Sequence, residues 1–135
     1  MKNVDTVKGI YAAFGRGDIP AILEHVADEC DWEYAYSNMN LPWIERRRGR
    51  EGAGAAFAAF VANLDFEHFA VKTIVGANEG ALVIAICDVS MKIKSTGKKV
   101  VEQDEPHLWH FDPRGRIVRF RHCADTLQQY RAAQP

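Results

Sequence analysis

Leu82 to Ala124 reads LVIAICDVSMKIKSTGKKVVEQDEPHLWHFDPRGRIVRFRHCA, and this stretch decides the fold. Three runs rich in β-branched and aromatic residues, Leu82 to Lys94, Lys99 to Phe111 and Arg116 to Ala124, are parted by Ser95-Thr96-Gly97-Lys98 and Asp112-Pro113-Arg114-Gly115. Short Gly-containing connections of this kind supply hairpin geometry, so the runs are predicted strands of a β-meander. A fourth strand, Phe66 to Val75, precedes them across Gly76-Ala77-Asn78-Glu79-Gly80.

Upstream the period changes. Val4, Val7, Tyr11 and Phe14 recur as one helix face, with Asn3 as the expected N-cap and Gly15 and Gly17 at the end. Asp18 caps a second, shorter helix that tolerates Pro20 in its first turn and buries Ile22, Leu23 and Val26. Cys30 to Tyr36 is an aromatic strand, and Ser37 to Arg48 a loop carrying Pro42 and Trp43. A third helix, Arg50 to Asn63, shows a stripe of Ala53, Phe57, Phe60, Val61 and Leu64. Asp125 caps a brief C-terminal helix. Helices first and antiparallel strands afterwards make an α+β chain, read as one domain over residues 1–135. A long twisted sheet curls around the three helices of the N-terminal half and leaves a cavity.

Bulk properties exclude several classes. The 135 residues are 47% hydrophobic and 26% charged, enough for one core without a metal or disulfide. A net charge of -1 steers the protein towards neither nucleic acid nor anionic membrane. Cys30, Cys87 and Cys123 are far apart and odd in number, as expected of reduced thiols in a cytoplasmic protein. No CxxC pair suggests zinc, the start lacks the apolar run of a secretion signal, and no stretch is long enough to span a bilayer.

The order of elements, with Gly17-Asp18, Leu41-Pro42-Trp43, Gly49-Arg50-Glu51-Gly52, Thr96-Gly97-Lys98, Glu105 to Phe111, Gly115-Arg116-Ile117 and Asp125-Thr126, resembles the nuclear transport factor 2-like superfamily. Within it the chain is most similar to SnoaL-like and ketosteroid isomerase-related proteins. The resemblance implies a cone-shaped, curved, mixed and mostly antiparallel sheet around a pocket, and homodimers formed through the outer sheet face. Members include isomerases, cyclases, epoxide hydrolases, dehydratases and non-catalytic binding proteins, so fold alone does not fix function.

Strand alternation nominates the pocket residues. Trp32, Tyr34 and Tyr36 share a face; so do Glu105, His107, Trp109 and Phe111; so do Phe120, His122 and Ala124. Leu82, Ile84, Ile86 and Asp88 line up as an apolar row ended by an acid, and Arg119 and Arg121 point the other way. The candidate catalytic set is Asp88, His107, His122 and Tyr34. His122 and Asp88 form the acid–base pair, and His107 and Tyr34 are polarising donors. The substrate pocket is Tyr11, Phe14, Trp32, Trp43, Phe57, Ile86, Glu105, Trp109 and Phe120, with Glu105 near the mouth. By resemblance, the isomerase base, oxyanion tyrosine and protonated acid fall at Tyr34, Ile10 and His107. The epoxide-hydrolase aspartates fall at Asp88 and His122, and its arginine at Ile86. These positions carry other residues here, Asp88 excepted.

No cofactor and no metal are implied: no phosphate loop appears, and His107 and His110 point to opposite faces. Arg46-Arg47-Arg48 with Arg50 has two readings, a solvated loop and, second to it, a holder of an anionic group. The expected ligand is a small hydrophobic carbonyl or hydroxyl compound, and the expected chemistry is isomerisation or cyclisation by proton transfer. Two other readings stand beside it: a non-catalytic ligand-binding or dimerisation module, and a dehydratase led by His107.

Overall fold

Val7, Ile10 and Ala13 form the fully buried side of the first helix, α1 (Lys2–Gly15), while Tyr11 and Phe14 flank it half-buried. In this computed structural model, which describes residues 2–34 and 39–135, Asn3 lies inside the helix and does not cap it. Its amide instead donates to the Gly80 carbonyl at 2.8 Å and ties α1 to a distant turn. Asp18 accepts from Ala21 N at 3.3 Å and caps α2 (Ile19–Leu23). That helix is shorter than its apolar pattern suggested. Val26 already belongs to β1 (Val26–Tyr34), where it pairs with Ile117. Tyr36 lies outside the described residues.

The chain continues through β2 (Arg47–Arg48), α3 (Gly49–Asn63), β3 (Leu64–Ala77), β4 (Leu82–Ile93), β5 (Lys99–Phe111), β6 (Ile117–His122) and α4 (Thr126–Ala132). The six strands form one sheet in the order β2-β1-β6-β5-β4-β3. Only the β1–β6 pair is parallel. The expected α+β class with a curved, mixed, mostly antiparallel sheet is therefore what the chain adopts, and α1 to α3 cover its inner face. Register shifts mark β-bulges in three of the antiparallel pairings, and each adds local bend and twist.

At Gly49 the chain takes φ +77°, and a Cβ there would lie 2.6 Å from the Asp28 carbonyl oxygen. This close approach seats the start of α3 against β1. Ala53, Ala56, Phe57 and Phe60 then bury against the sheet. Val61 departs from the predicted stripe and is 68% exposed, because it falls at the stripe's edge in the last turn, just before the chain enters β3. Trp32, Trp109 and Phe120 pack with ring centroids 4.2–4.3 Å apart across three neighbouring strands, from Phe120 to each tryptophan. Each large ring buried this way contributes roughly 1.5–3 kcal/mol. Among the described residues no helix is long and apolar enough to cross a membrane.

Gly49→Ala is expected to destabilise the protein by about 2 kcal/mol or more, since it combines left-handed strain with a backbone clash. Urea unfolding checks this, and a wild-type midpoint would refute the role given to Gly49.

Candidate functional site

β-register builds the site. His107 on β5 lies directly opposite His122 on β6, and His122 lies opposite Tyr34 on β1. One row along, Trp109 faces Phe120 and Phe120 faces Trp32. Tyr11 and Phe14 from α1, Phe57 and Phe60 from α3, and Trp43 from the loop close over these rows. Together they line a cavity of about 60 Å³, the space open to the centres of water-sized molecules. A single water needs roughly 10–15 Å³ on that measure. The hollow thus takes several waters or a molecule of few heavy atoms, and larger rings require the aromatic walls to part. Of the lining residues, Phe66 is 38% exposed, and Tyr11, Phe14, Phe69 and His122 are half-buried.

Eleven of the thirteen residues nominated from sequence line this cavity; Asp88 and Ile86 do not. On β4 the buried inner row is Val83, Ala85, Cys87 and Val89, while Leu82, Ile84, Ile86 and Asp88 face outward. The strand is apolar on both faces up to Cys87, so alternation carried no phase information. Asp88 accepts from Asp104 N at 3.0 Å and sits 3.4 Å from Lys72 Nζ. These contacts, the backbone bond foremost, hold its carboxyl below the ordinary range at the sheet surface. Arg119 and Arg121 do face outward, where both pair with Glu33.

The acid that meets the histidines is Glu105. It is 4% exposed and central, not at the mouth. One of its oxygens accepts from His107 Nε2 at 2.6 Å and also from His122 Nε2. Burial would raise the pKa of Glu105, but the charge on His122 and the bonds from both imidazoles hold it well below the carboxylate range. A carboxylate only accepts, so both Nε2 atoms carry protons. Nδ1 of His107 is then an acceptor and takes the Tyr11 hydroxyl at 2.5 Å. The Tyr11 oxygen in turn accepts from Trp109 Nε1 at 3.1 Å. Burial keeps the Tyr11 and Tyr34 hydroxyls protonated, with pKa values well above the ordinary one.

The two imidazoles diverge. Burial and the neighbouring charge on His122 push His107 below 6.5, against the pull of Glu105. His122 rises above 6.5 although burial opposes it, because Glu105 outweighs that cost. His122 is therefore the more basic of the two imidazoles, and it stacks on Tyr34 at 4.6 Å between centroids. Its Nδ1 is buried and has no partner among the described residues. Groups with opposed shifts in one cavity are the electrostatic signature of acid–base sites.

A second polar cluster was not anticipated from sequence. Asp104 adopts φ +57° where β5 bulges against β4, between the Cys87–Glu105 and Val89–Glu102 pairs. The extra residue switches the strand's phase, so Glu102 joins Glu105 on the inner face. Glu102 accepts from Asp125 N at 2.5 Å and from Gln129 Nε2 at 2.8 Å, and Gln129 accepts from Trp43 Nε1 at 2.9 Å. This clasp joins α4 to the cavity wall. Burial and neighbouring Glu105 push the Glu102 pKa up to about 7. Glu105, His107 and His122 each offer one ligand atom, all within 4.8 Å of one another. A divalent cation would have to displace both Nε2 protons that Glu105 now accepts.

A model of the SnoaL-like domain matches residues 7–120. An NTF2-like protein of unknown function from Burkholderia pseudomallei superposes with a TM-score of 0.86 at 20% identity, covering 100% of this chain and 99% of that one. TerC, co-crystallised with polyporic acid, gives 0.80 at 18% identity over 98% of each chain. A candidate polyketide cyclase from Pseudomonas putida gives 0.76 at 18% over 99% of each. At these identities the likeness establishes a shared fold. Among curated proteins none is significantly similar.

Glu102 gives a pH prediction. Its folded pKa lies above the ordinary 4.5, so the native state holds the proton more tightly than the unfolded chain. That stabilisation is complete below about 4.5 and is lost as pH rises through about 7. Glu102→Gln should therefore flatten the fall in Tm between roughly pH 5 and pH 8, whatever its constant offset. Parallel Tm–pH curves for the two proteins would count against it.

Proposed function

This chain belongs to the SnoaL-like domain family, and from that premise we propose that it is a cofactor-independent acid–base enzyme of the isomerase or cyclase type. Its substrate is a small, largely apolar carbonyl or hydroxyl compound. The single observation that carries this is the state of His122. Its Nε2 is bonded to a buried carboxylate, and its Nδ1 is buried in the cavity wall without a partner among the described residues.

Neutral His122 takes a proton from the substrate at Nδ1, and Glu105 stabilises the imidazolium that forms. The same nitrogen then returns the proton to a different substrate atom. Such a relay is worth typically ~100- to 10,000-fold in rate. His107 serves as a positioning residue. Both of its ring nitrogens are occupied, by Tyr11 and Glu105, so the geometry favours His122 over a dehydratase led by His107. In this reading Tyr34, kept as a phenol by burial, donates to a developing oxyanion. Relatives of this fold include a candidate polyketide cyclase and a protein co-crystallised with polyporic acid, which supports a small-molecule ligand for this chain.

We also propose that a second copy covers the outer sheet face. Val75, Ile84 and Leu108 form an apolar cross-strand row there, beside Ile86. Val75 is 48% exposed.

His122→Gln is expected to lower turnover of a cognate substrate at least ~100-fold while the protein stays folded. Glu105→Gln should shift the limb of the pH–rate profile set by His122 to lower pH. Undiminished turnover in H122Q would remove His122 from the mechanism and leave the reading led by His107. Light scattering should find a dimer that Ile86→Glu converts to monomer; a wild-type protein that is monomeric at tens of micromolar would exclude the outer-face pairing.

A further inference from the structure

Three tryptophan side chains line the cavity, and their indole N–H groups end differently. Trp109 donates to Tyr11 and Trp43 donates to Gln129. Trp32 Nε1 is buried and has no partner among the described residues. The ring is held firmly, with centroids 4.3 Å from Phe120 and 5.5 Å from Phe57, and the residue is 1% exposed. An indole N–H can only donate, and buried polar groups in folded proteins are nearly always bonded. The other orphaned nitrogen of this wall is His122 Nδ1, carried on the strand paired with that of Trp32. Among the described residues no lysine or arginine lines the cavity, so none of them selects an anion there.

We infer that Trp32 is a specificity-determining residue whose Nε1–H holds the oxygen of a small uncharged carbonyl compound, with the α-carbon of that compound facing His122 Nδ1. The assignment deepens the acid–base reading and rests on it for the fate of the proton. When Nδ1 takes an α-proton, the C–H bond breaks and an N–H bond forms. The electron pair moves through the carbon–carbon bond onto the carbonyl oxygen. The resulting enolate carries its charge where Trp32 donates, and return of the proton from Nδ1 to carbon reverses the electron flow. No other reactant is consumed.

Cyclopentanone and cyclopentane, matched rings with and without an acceptor, test the assignment. In 15N-labelled wild-type protein cyclopentanone should shift the Trp32 indole resonance downfield. The preference for ketone over hydrocarbon should fall roughly tenfold in Trp32→Phe, the worth of about one hydrogen bond. An unmoved indole resonance, or an unchanged preference in W32F, overturns the assignment. The resonance in unaltered protein decides the matter if W32F does not fold. Deuterium exchange at the ketone's α-carbons in D₂O separates the two layers. His122→Gln should abolish exchange while the indole shift persists. Exchange that survives in H122Q with the shift intact overturns the acid–base role of His122 and the facing of the α-carbon, but not the Trp32 donor.

Discussion

A single carboxylate, Glu105, sits almost wholly out of water, and much of the interior is arranged around that fact. Removing a charge from solvent costs several kcal/mol even after relaxation. The two imidazoles that meet Glu105 offset that cost, and in doing so they lose their freedom. His107 is fixed as the tautomer that accepts at Nδ1. Tyr11 is aimed by His107 and by Trp109. The first helix is thereby docked on the sheet by a polar chain as well as by Val7 and Ile10. Of these two imidazoles, His122 keeps a ring nitrogen without a partner among the described residues.

Structural duty and chemical capacity therefore come from the same interactions. A histidine backed by a buried carboxylate is oriented before any ligand arrives, so little reorganisation remains for the reacting step. The aromatic walls set the opposite constraint. Trp32, Trp109, Phe120 and Phe57 are close-packed, and the space they leave is small. Under the proposed function, selection by polarity falls to the few wall atoms without partners among the described residues.

The Glu102 clasp adds a second layer. Its carboxyl joins the cap of α4 to Gln129 and, through Gln129, to Trp43 in the loop over the cavity. A terminal helix that would otherwise hold by few contacts is anchored at a buried polar centre.

Element order, the four-strand meander, the Asp18 and Asp125 caps and the inward faces of β5 and β6 were legible in the sequence alone. Each rests on local chemistry: Gly-containing turns, capping carboxylates, the alternation of β5, and on β6 arginines that alternate with Phe120 and His122. The phase of β4 was not legible. Ile84, Ala85, Ile86 and Cys87 are all compatible with burial, so only packing against α1 and β5 chose the odd-numbered row and turned Asp88 outward. Nor was the bulge at Asp104, which places Glu102 and Glu105 in one interior although their spacing should part them. That Glu105, not Asp88, serves His122 depended on which strands became neighbours and in what register. These are long-range choices, settled by the whole core at once, and no short window of residues encodes them.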